Sequence, residues 1–338
     1  MHSVPYARDV QQPSTRETLR ELGNRYDLRI GTCVDGYALR ISQYAETVMR
    51  EFSVITSENA LKFGKLSHER GAYDFSAADS FVAFAEARDL EVRGHVLIWG
   101  YQLPKWLTDS QLSPEDVADV FTTHIKTVVG RYRGRIATWD VVNEAINADG
   151  SFTDNIWYRA MGAEYVDIAF QAARAADPDA LLFYNDLGVE ATPEQSVGMF
   201  RLLQGLRDRG RPIDGVGLQM HLELRHRSAV RQLSKELVRL AELGLRTHVT
   251  ELDVRIQLSN ATATPAELET QAEIYRAVLR ACLETPSCDT LILWGVSDRF
   301  SWIPHFFRGS GEALVLDAEY RPKPAYYAMI SELHNRHL

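Results

Sequence analysis

Cysteine is scarce in this chain, with 3 in 338 residues, which excludes a disulfide framework as the main source of stability. Long apolar runs are missing too; nothing approaches the roughly 18 unbroken apolar residues of a membrane-spanning helix. Positive charge is in deficit, with 37 Lys and Arg against 46 Asp and Glu for a net charge of −9, and no basic run offsets it. A nucleic-acid partner is therefore not expected, because phosphate backbones are held by clustered Lys and Arg. No Pro/Ser-rich linker and no low-complexity tract divides the chain. The first 25 residues are polar and lack the apolar stretch of a signal peptide. Several catalytic signatures are missing as well: HExxH, CxxC, a P-loop, and GxSxG or GxGxxG after a strand. The 10 His are scattered without ligand spacing, so neither a catalytic metal nor a cofactor is expected.

What is present is ordinary globular material, 45% hydrophobic and 25% charged. Short β-rich runs alternate eight times with longer segments of helical period. The runs cover 28–34, 52–59, 91–99, 136–144, 181–186, 215–222, 247–254 and 290–296. Most show little polar alternation, as suits strands buried on both faces of a parallel sheet. Between the third and fourth runs, Val117, Val120, Phe121, Ile125, Val128, Val129 and Tyr132 recur at three- and four-residue steps, the spacing of one helix face. Ser113-Pro114-Glu115-Asp116 starts that helix with a capping hydroxyl, a proline in the first turn and acids beside the positive end of the dipole. Thr192-Pro193-Glu194 and Thr264-Pro265-Ala266-Glu267 repeat the signal. Eight strand-then-helix units predict an α/β fold, a single (β/α)8 TIM barrel over 1–338 with a polar N-terminal extension to about residue 25.

In such a barrel, chemistry collects where strands end and βα loops begin. Six of the eight predicted strands carry carboxylates, amides or His there. A lone acid at a strand end reads equally as a helix cap or a salt-bridge partner, but a ring of polar side chains suits a polar substrate. Glu144 and Glu251 stand three strand–helix units apart, so they can face each other across the mouth. Facing carboxylates suit glycoside hydrolysis, where one donates a proton and the other stays ionised. Metal-dependent chemistry and structural ion pairs are the alternatives. Asp253 lies two residues after Glu251 and so points to the same face of its strand. His221, on the preceding run, is placed to hydrogen-bond Glu251 and favour its ionised form; taken alone it reads as a buried His bonded to main chain. Trp294 and Trp302 fit either core packing or the flat face of a pyranose. Lys62, Asn59 and Gln219 offer hydrogen bonds to sugar hydroxyls. Cys33 reads as a small buried residue. Cys282 and Cys288 bracket a five-residue loop, which fits either a disulfide or two reduced thiols. Asn260-Ala261-Thr262 is a glycosylation sequon of a kind that arises by chance.

The ordered motifs resemble glycoside hydrolase family 10, the endo-β-1,4-xylanases. Trp139-Asp140-Val141-Val142-Asn143-Glu144 is similar to that family's acid/base segment, and Val249-Thr250-Glu251-Leu252-Asp253 to its nucleophile segment. Ser57-Glu58-Asn59 with Lys62, Arg93-Gly94-His95 with Trp99, and Gln102-Leu103-Pro104 match further. So do Tyr184-Asn185-Asp186, Gln219-Met220-His221-Leu222, Trp294-Gly295-Val296 and Pro322-Lys323-Pro324-Ala325-Tyr326. The likeness runs from about residue 30 to about residue 330. It implies a retaining hydrolase of internal xylan bonds, with Glu144 as acid/base, Glu251 as nucleophile, and His221, Asp253 and Asn143 in support. It further implies that Asn143 binds the sugar 2-hydroxyl in subsite −1, which Gln219 and His221 line. Glu58, Asn59 and Lys62 hold the −2 sugar, and Trp294 and Trp302 exclude the hydroxymethyl of glucose. His95, Trp99, Gln102 and Asn185 complete the sugar-contacting set. The resemblance also implies a Cys282–Cys288 disulfide, as in many secreted members.

One departure stands out. The family usually carries His directly after the third-strand Trp, where this chain has Gly100. A contact to the −1 sugar would then be missing, with Tyr101, Arg299 or Phe300 expected to fill the gap. Otherwise the pocket takes a different sugar, which makes a retaining β-glycosidase of another specificity the alternative reading. Phe63, where Trp is common, is a milder change. The expected partner is xylan or a xylo-oligosaccharide, and a monomer is expected. For localisation the cysteine pair leans extracellular and the missing signal leans cytoplasmic, with the extracellular side slightly favoured.

Overall fold

The computed structural model describes residues 17–259 and 262–336. The first 16 residues of the polar extension, and Asn260 and Ala261 of the sequon, lie outside the described residues. Eight parallel strands close on themselves: β1 (Arg29–Val34), β2 (Val54–Ser57), β3 (Glu91–Gly94), β4 (Thr138–Asn143), β5 (Leu181–Asp186), β6 (Gly215–Leu218), β7 (Arg246–Gln257) and β8 (Cys288–Leu293). Each pairs with the next, and β8 returns to β1 through Thr290 opposite Arg29. Closure leaves the eight strands sheltered within the barrel, which is why apolar residues predominate in the runs. This is a TIM barrel.

The helices begin where the sequence signals them. Ser113 Oγ accepts the Asp116 N–H at 3.1 Å and starts Pro114–Arg131. Thr192 Oγ1 accepts from Gln195 N at 3.1 Å, and Thr264 forms a reciprocal box with Glu267. Each such cap contributes about 1 kcal/mol and fixes where the chain turns from loop to helix. Along Pro114–Arg131 the buried residues include Val117, Phe121, Ile125, Val128 and Val129, one face laid on the barrel. Cys282, on helix Pro265–Glu284, is disulfide-bonded to Cys288 at the start of β8, with Cα atoms 5.0 Å apart. Among the described residues, no helix is long and apolar enough to cross a membrane.

The breaks and extensions of β3, β6 and β7 relative to the predicted runs all lie at the mouth. Regular β3 pairing stops at Gly94 instead of continuing to Trp99, although Ile98 still bridges to Val142. The pairing of β6 breaks after Leu218. Gln219 and Met220 intervene, Met220 with φ 66°, before His221–Glu223 resumes parallel to β7 with His221 opposite Asp253. β7 itself runs to Gln257 and takes a short antiparallel partner, Ser310–Gly311, beyond the rim. Periodicity cannot foresee such breaks, because they are set by what the rim must present.

Candidate active site

Glu251 is buried at the mouth, only 4% exposed. Its Oε1 accepts from Asn185 Nδ2 at 2.7 Å, and its Oε2 from His221 Nε2 at 3.1 Å. His221 Nδ1 donates to Asp253 Oδ2 at 3.1 Å, and Trp302 Nε1 donates to the same oxygen at 2.7 Å. Strand parity makes this possible, since Glu251 and Asp253 share a face. Burial alone would discharge His221, but the two carboxylates outweigh it and hold the imidazole well above its ordinary range. Burial likewise pushes the Glu251 carboxyl up. His95 and His221 win, and it rests below the usual glutamate value.

His95 is itself held from behind. Its Nδ1 lies 3.9 Å from Glu251 Oε1 and donates to Asp140 Oδ2 at 3.0 Å. Arg93 grips Asp140 through both oxygens and donates Nη1–H to His248 Nδ1 at 2.9 Å. Arg93 and Asp140 are 2% and 1% exposed, a buried pair that needs this full set of partners to be tolerated. Burial and the Arg93 charge lower His248 to about 4, so this imidazole is neutral and free to accept.

Glu144 differs in almost every respect. It is half-buried and sits at φ 54°, in the left-handed region that costs a non-glycine residue on the order of 1 kcal/mol or more. Three bonds hold the backbone there: Glu144 N to Asn185 O at 3.0 Å, Ala145 N to Tyr184 Oη at 3.0 Å, and Thr153 Oγ1 to Glu144 O at 3.1 Å. Tyr184 in turn donates to Asp186, whose carboxyl burial raises to about 7. The Glu144 side chain receives Trp99 Nε1 at 2.9 Å, Asn143 Nδ2 at 3.0 Å and Gln219 Nε2 at 2.8 Å. Asn185 Nδ2 also donates to Asn143 Oδ1 at 2.8 Å, so two amides and three hydrogen bonds tie one glutamate to the other. Gly217 permits this, because a Cβ there would lie 2.2 Å from Asn185 Oδ1 and 2.7 Å from the Thr250 methyl.

Known proteins share both the sequence pattern and the fold. The model of glycosyl hydrolase family 10 matches residues 18–332. The chain belongs to that family. It is 39% identical to endo-1,4-beta-xylanase B of Thermotoga neapolitana over 92% of this chain and 90% of that protein. Native xylanase 10B of Thermotoga maritima superposes with a TM-score of 0.89 at 39% identity, covering 94% of this chain and 98% of that one. Xylanase 10B of Thermotoga petrophila RKU-1, solved with xylobiose, gives 0.90 at 38% identity, over 95% and 98% of the two chains.

In this family 10 chain the glutamates divide the mouth into two halves. On one side Glu58 and Asn59 line a hollow of about 780 Å3 with Asp35 and Tyr37. Lys62, 7% exposed, reaches from Asn59 (3.5 Å) to the face of Trp99 (5.1 Å). Burial lowers its ammonium against the pull of Glu251, Glu58 and Glu144. Trp294 stands edge-on to His95 at 5.2 Å and Trp302 packs on His221 at 4.9 Å. On the other side Glu144, Gln219, His221 and Trp302 line a cleft of about 520 Å3 with Tyr101.

Gln102 and Gly100 lie on the irregular segment that follows Trp99. Gln102 is exposed and offers its main-chain carbonyl to Gly64 N at 2.9 Å; among the described residues its side-chain amide makes no hydrogen bond. A Cβ at position 100 would meet the Asn155 side chain, nearest atom 3.1 Å, and Asn155 caps helix Ile156–Met161. The space beside Gly100 is therefore bounded by Asn155, whereas Phe300 packs on Tyr44 elsewhere, at 5.5 Å, with Arg299 over its ring. Asp140, Tyr184 and Thr250 escaped the sequence reading as parts of the site. A charged Arg93 two residues from His95, on one strand face, was the available signal for Asp140.

Proposed function

We propose that the chain is a retaining endo-β-1,4-xylanase with Glu144 as acid/base and Glu251 as nucleophile. The observation that carries the reading is the unequal setting of two glutamates on one cleft. Glu251 is buried, held ionised between two imidazoles and bonded at both oxygens. Glu144 borders the open half, where protons can exchange with water.

In the first step a Glu251 oxygen attacks the anomeric carbon as the glycosidic C–O bond breaks. The proton on Glu144 passes to the leaving oxygen, so the aglycone departs as an alcohol. In the second step water attacks the same carbon and yields its proton to Glu144, and Glu251 leaves as a carboxylate. Retaining enzymes keep the two carboxyls about 5–5.5 Å apart, an arrangement that the short two-amide link supports. Asn143 is assigned to the 2-hydroxyl in −1, with Gln219, His221, His95 and Asn185 around that sugar. Glu58, Asn59 and Lys62 are assigned to −2, and Trp294 and Trp302 to the wall against a hydroxymethyl. We take the barrel as the single catalytic unit.

Xylobiose bound in the Thermotoga petrophila relative supports β-1,4-linked xylose as the ligand here. The alternative of another glycone rested on Gly100, and that position faces Asn155. The test is chromatography of products from xylan, a β-glucan and a set of aryl β-glycosides. A ladder of short xylo-oligosaccharides from xylan alone is expected. Inert xylan with turnover of another glycoside would overturn the assignment.

A further inference from the structure

The interior of a (β/α)8 barrel is ordinarily filled by branched apolar side chains, and its N-terminal face commonly serves stability. This barrel departs from that rule along one line. At the N-terminal face, Asp289 near the start of β8 is held by Arg29 Nη2 and Arg246 Nη1, each at 2.7 Å, and Arg29 also pairs with Glu91 at 3.0 Å. His248, two residues along β7 from Arg246, brings its Nε2 to 2.7 Å from Asp289 Oδ1. On the other side of the ring, Nδ1 meets Arg93 Nη1 at 2.9 Å, and Arg93, Asp140 and His95 continue the line to Glu251. A polar column thus runs from the bottom of the barrel to the carboxylate at its mouth.

Elementary chemistry fixes the protons of this column. A guanidinium has donors and no acceptor, so His248 Nδ1 must accept from Arg93. The ring proton is then on Nε2, facing a carboxylate that two arginines keep ionised. A second proton on the ring would set two N–H groups against each other at Nδ1. Burial, with the Arg93 charge beside it, resists that proton and lowers His248 to about 4. The packing leaves the imidazole no freedom to turn. It is buried and stacks on Phe183 with ring centres 4.2 Å apart, and the Arg93 guanidinium lies 4.8 Å over the same phenyl ring. A Cβ at Gly215 would lie 2.3 Å from that ring, so β6 gives way to keep it in place. Without His248 the Nη1 donor of Arg93 would be buried and unpaired, while Asp140 would still hold the rest of the guanidinium.

We propose that His248 and Asp289 are positioning residues for the reaction: Asp289 fixes the His248 tautomer, the imidazole fixes Arg93, and Arg93 holds Asp140 and His95 in register with Glu251. Their effect reaches Glu251 through His95, whose charge is the largest influence that opposes burial at that carboxyl. His221 and Lys62 also face the carboxylate, with Asp140 and Asp253 behind the two imidazoles. The inference rests on the reading of Glu251 as nucleophile and adds the N-terminal face of the barrel to what tunes it.

The experiment measures kcat and KM of the intact enzyme on an aryl β-xylobioside across pH, with thermal unfolding followed for each variant. His248→Leu removes the acceptor and changes no charge at neutral pH. Its kcat is expected to fall about three- to thirtyfold, the range carried by coupled networks, with KM changed by less than about twofold. The acidic limb of kcat/KM should rise by about half a unit as His95 loses its hold. His248→Gln, whose side-chain oxygen can accept from Arg93, should recover most of both. Asp289→Asn separates positioning from plain charge. Loss of a negative charge acting through space would move the limb to lower pH, whereas release of the His248 tautomer should move it to higher pH. In the wild-type enzyme, 15N NMR should show His248 as the Nε2–H tautomer and neutral down to about pH 5. A proton on His248 Nδ1, or a limb that fails to rise in His248→Leu and in Asp289→Asn, would overturn the proposal while leaving the nucleophile reading intact. If His248→Leu does not fold, Asp289→Asn and the NMR tautomer decide. Failure of azide to restore turnover in Glu251→Ala would overturn both.

Discussion

Glu144 and Glu251 are the same side chain in two unlike settings, and the difference teaches how one fold separates an acid from a nucleophile. Around Glu251 the barrel supplies charge: His221 and His95 beside the carboxylate, with Asp253 and the Arg93–Asp140 pair behind them. Around Glu144 it supplies only neutral donors, Trp99, Asn143 and Gln219, on a backbone held in a left-handed turn. Neutral donors orient a carboxyl by hydrogen bonds alone, whereas a cationic imidazole sets a full opposite charge beside it. Glu251 lies near the middle of the long strand β7 and inherits its rigidity. Glu144 lies just past β4, where a loop can aim it along the cleft.

Breaking the contrast at its strongest point gives the largest effect. Glu251→Ala should lower xylan turnover by on the order of 10^4-fold or more, because it removes the carboxylate that bonds the anomeric carbon. Added azide should restore part of the rate and yield a glycosyl azide of inverted configuration; a product of retained configuration would remove Glu251 as nucleophile. Glu144→Ala should cost about 10^2- to 10^4-fold on xylan. Its effect on the first step should almost vanish for a dinitrophenyl glycoside, whose leaving group needs no proton. Equal losses on the two substrates would show that Glu144 acts otherwise than as an acid.

Smaller changes sharpen the comparison. His221→Ala removes a cation that holds the Glu251 carboxyl low, while the burial that pushes it up remains. The acidic limb of the kcat/KM profile should therefore move to higher pH, by about one unit, with a loss of about tenfold or more at neutral pH. A loss without movement of the limb would reduce His221 to packing. Gly100→Ala is expected to be the mildest. It meets only Asn155, so stability should change by less than about 1 kcal/mol and the ratio of xyloside to glucoside rates by less than twofold. A clear shift in that ratio would return glycone selection to position 100.

Much of this was legible in one dimension. Barrel strands announce themselves as apolar runs, and capped helices by Ser or Thr followed by Pro and an acid, because both signals depend on nearest neighbours in the chain. Glu144, Glu251 and Asp253 could be placed on the rim by strand order and parity alone. The roles of Asp140, Tyr184 and Arg93 could not. Each acts through a residue tens of positions away, across a closed sheet whose stagger periodicity does not encode. The surroundings of Gln102 and Gly100 were not legible for a related reason: a loop residue's neighbours are chosen by the turn, and here the turn sets one beside Gly64 and the other beside Asn155.

The sequence by itself determined the barrel, its eight strand-and-helix units and the residue types on the rim, since burial pattern and capping are local consequences of side-chain chemistry. Only the tertiary structure decided which glutamate is wrapped in charge and which is left open, and it alone joined Asp289, His248 and Arg93 in one column that leads to Glu251. Those outcomes depend on distances between strands and loops remote in sequence, and such distances exist only once the barrel has closed.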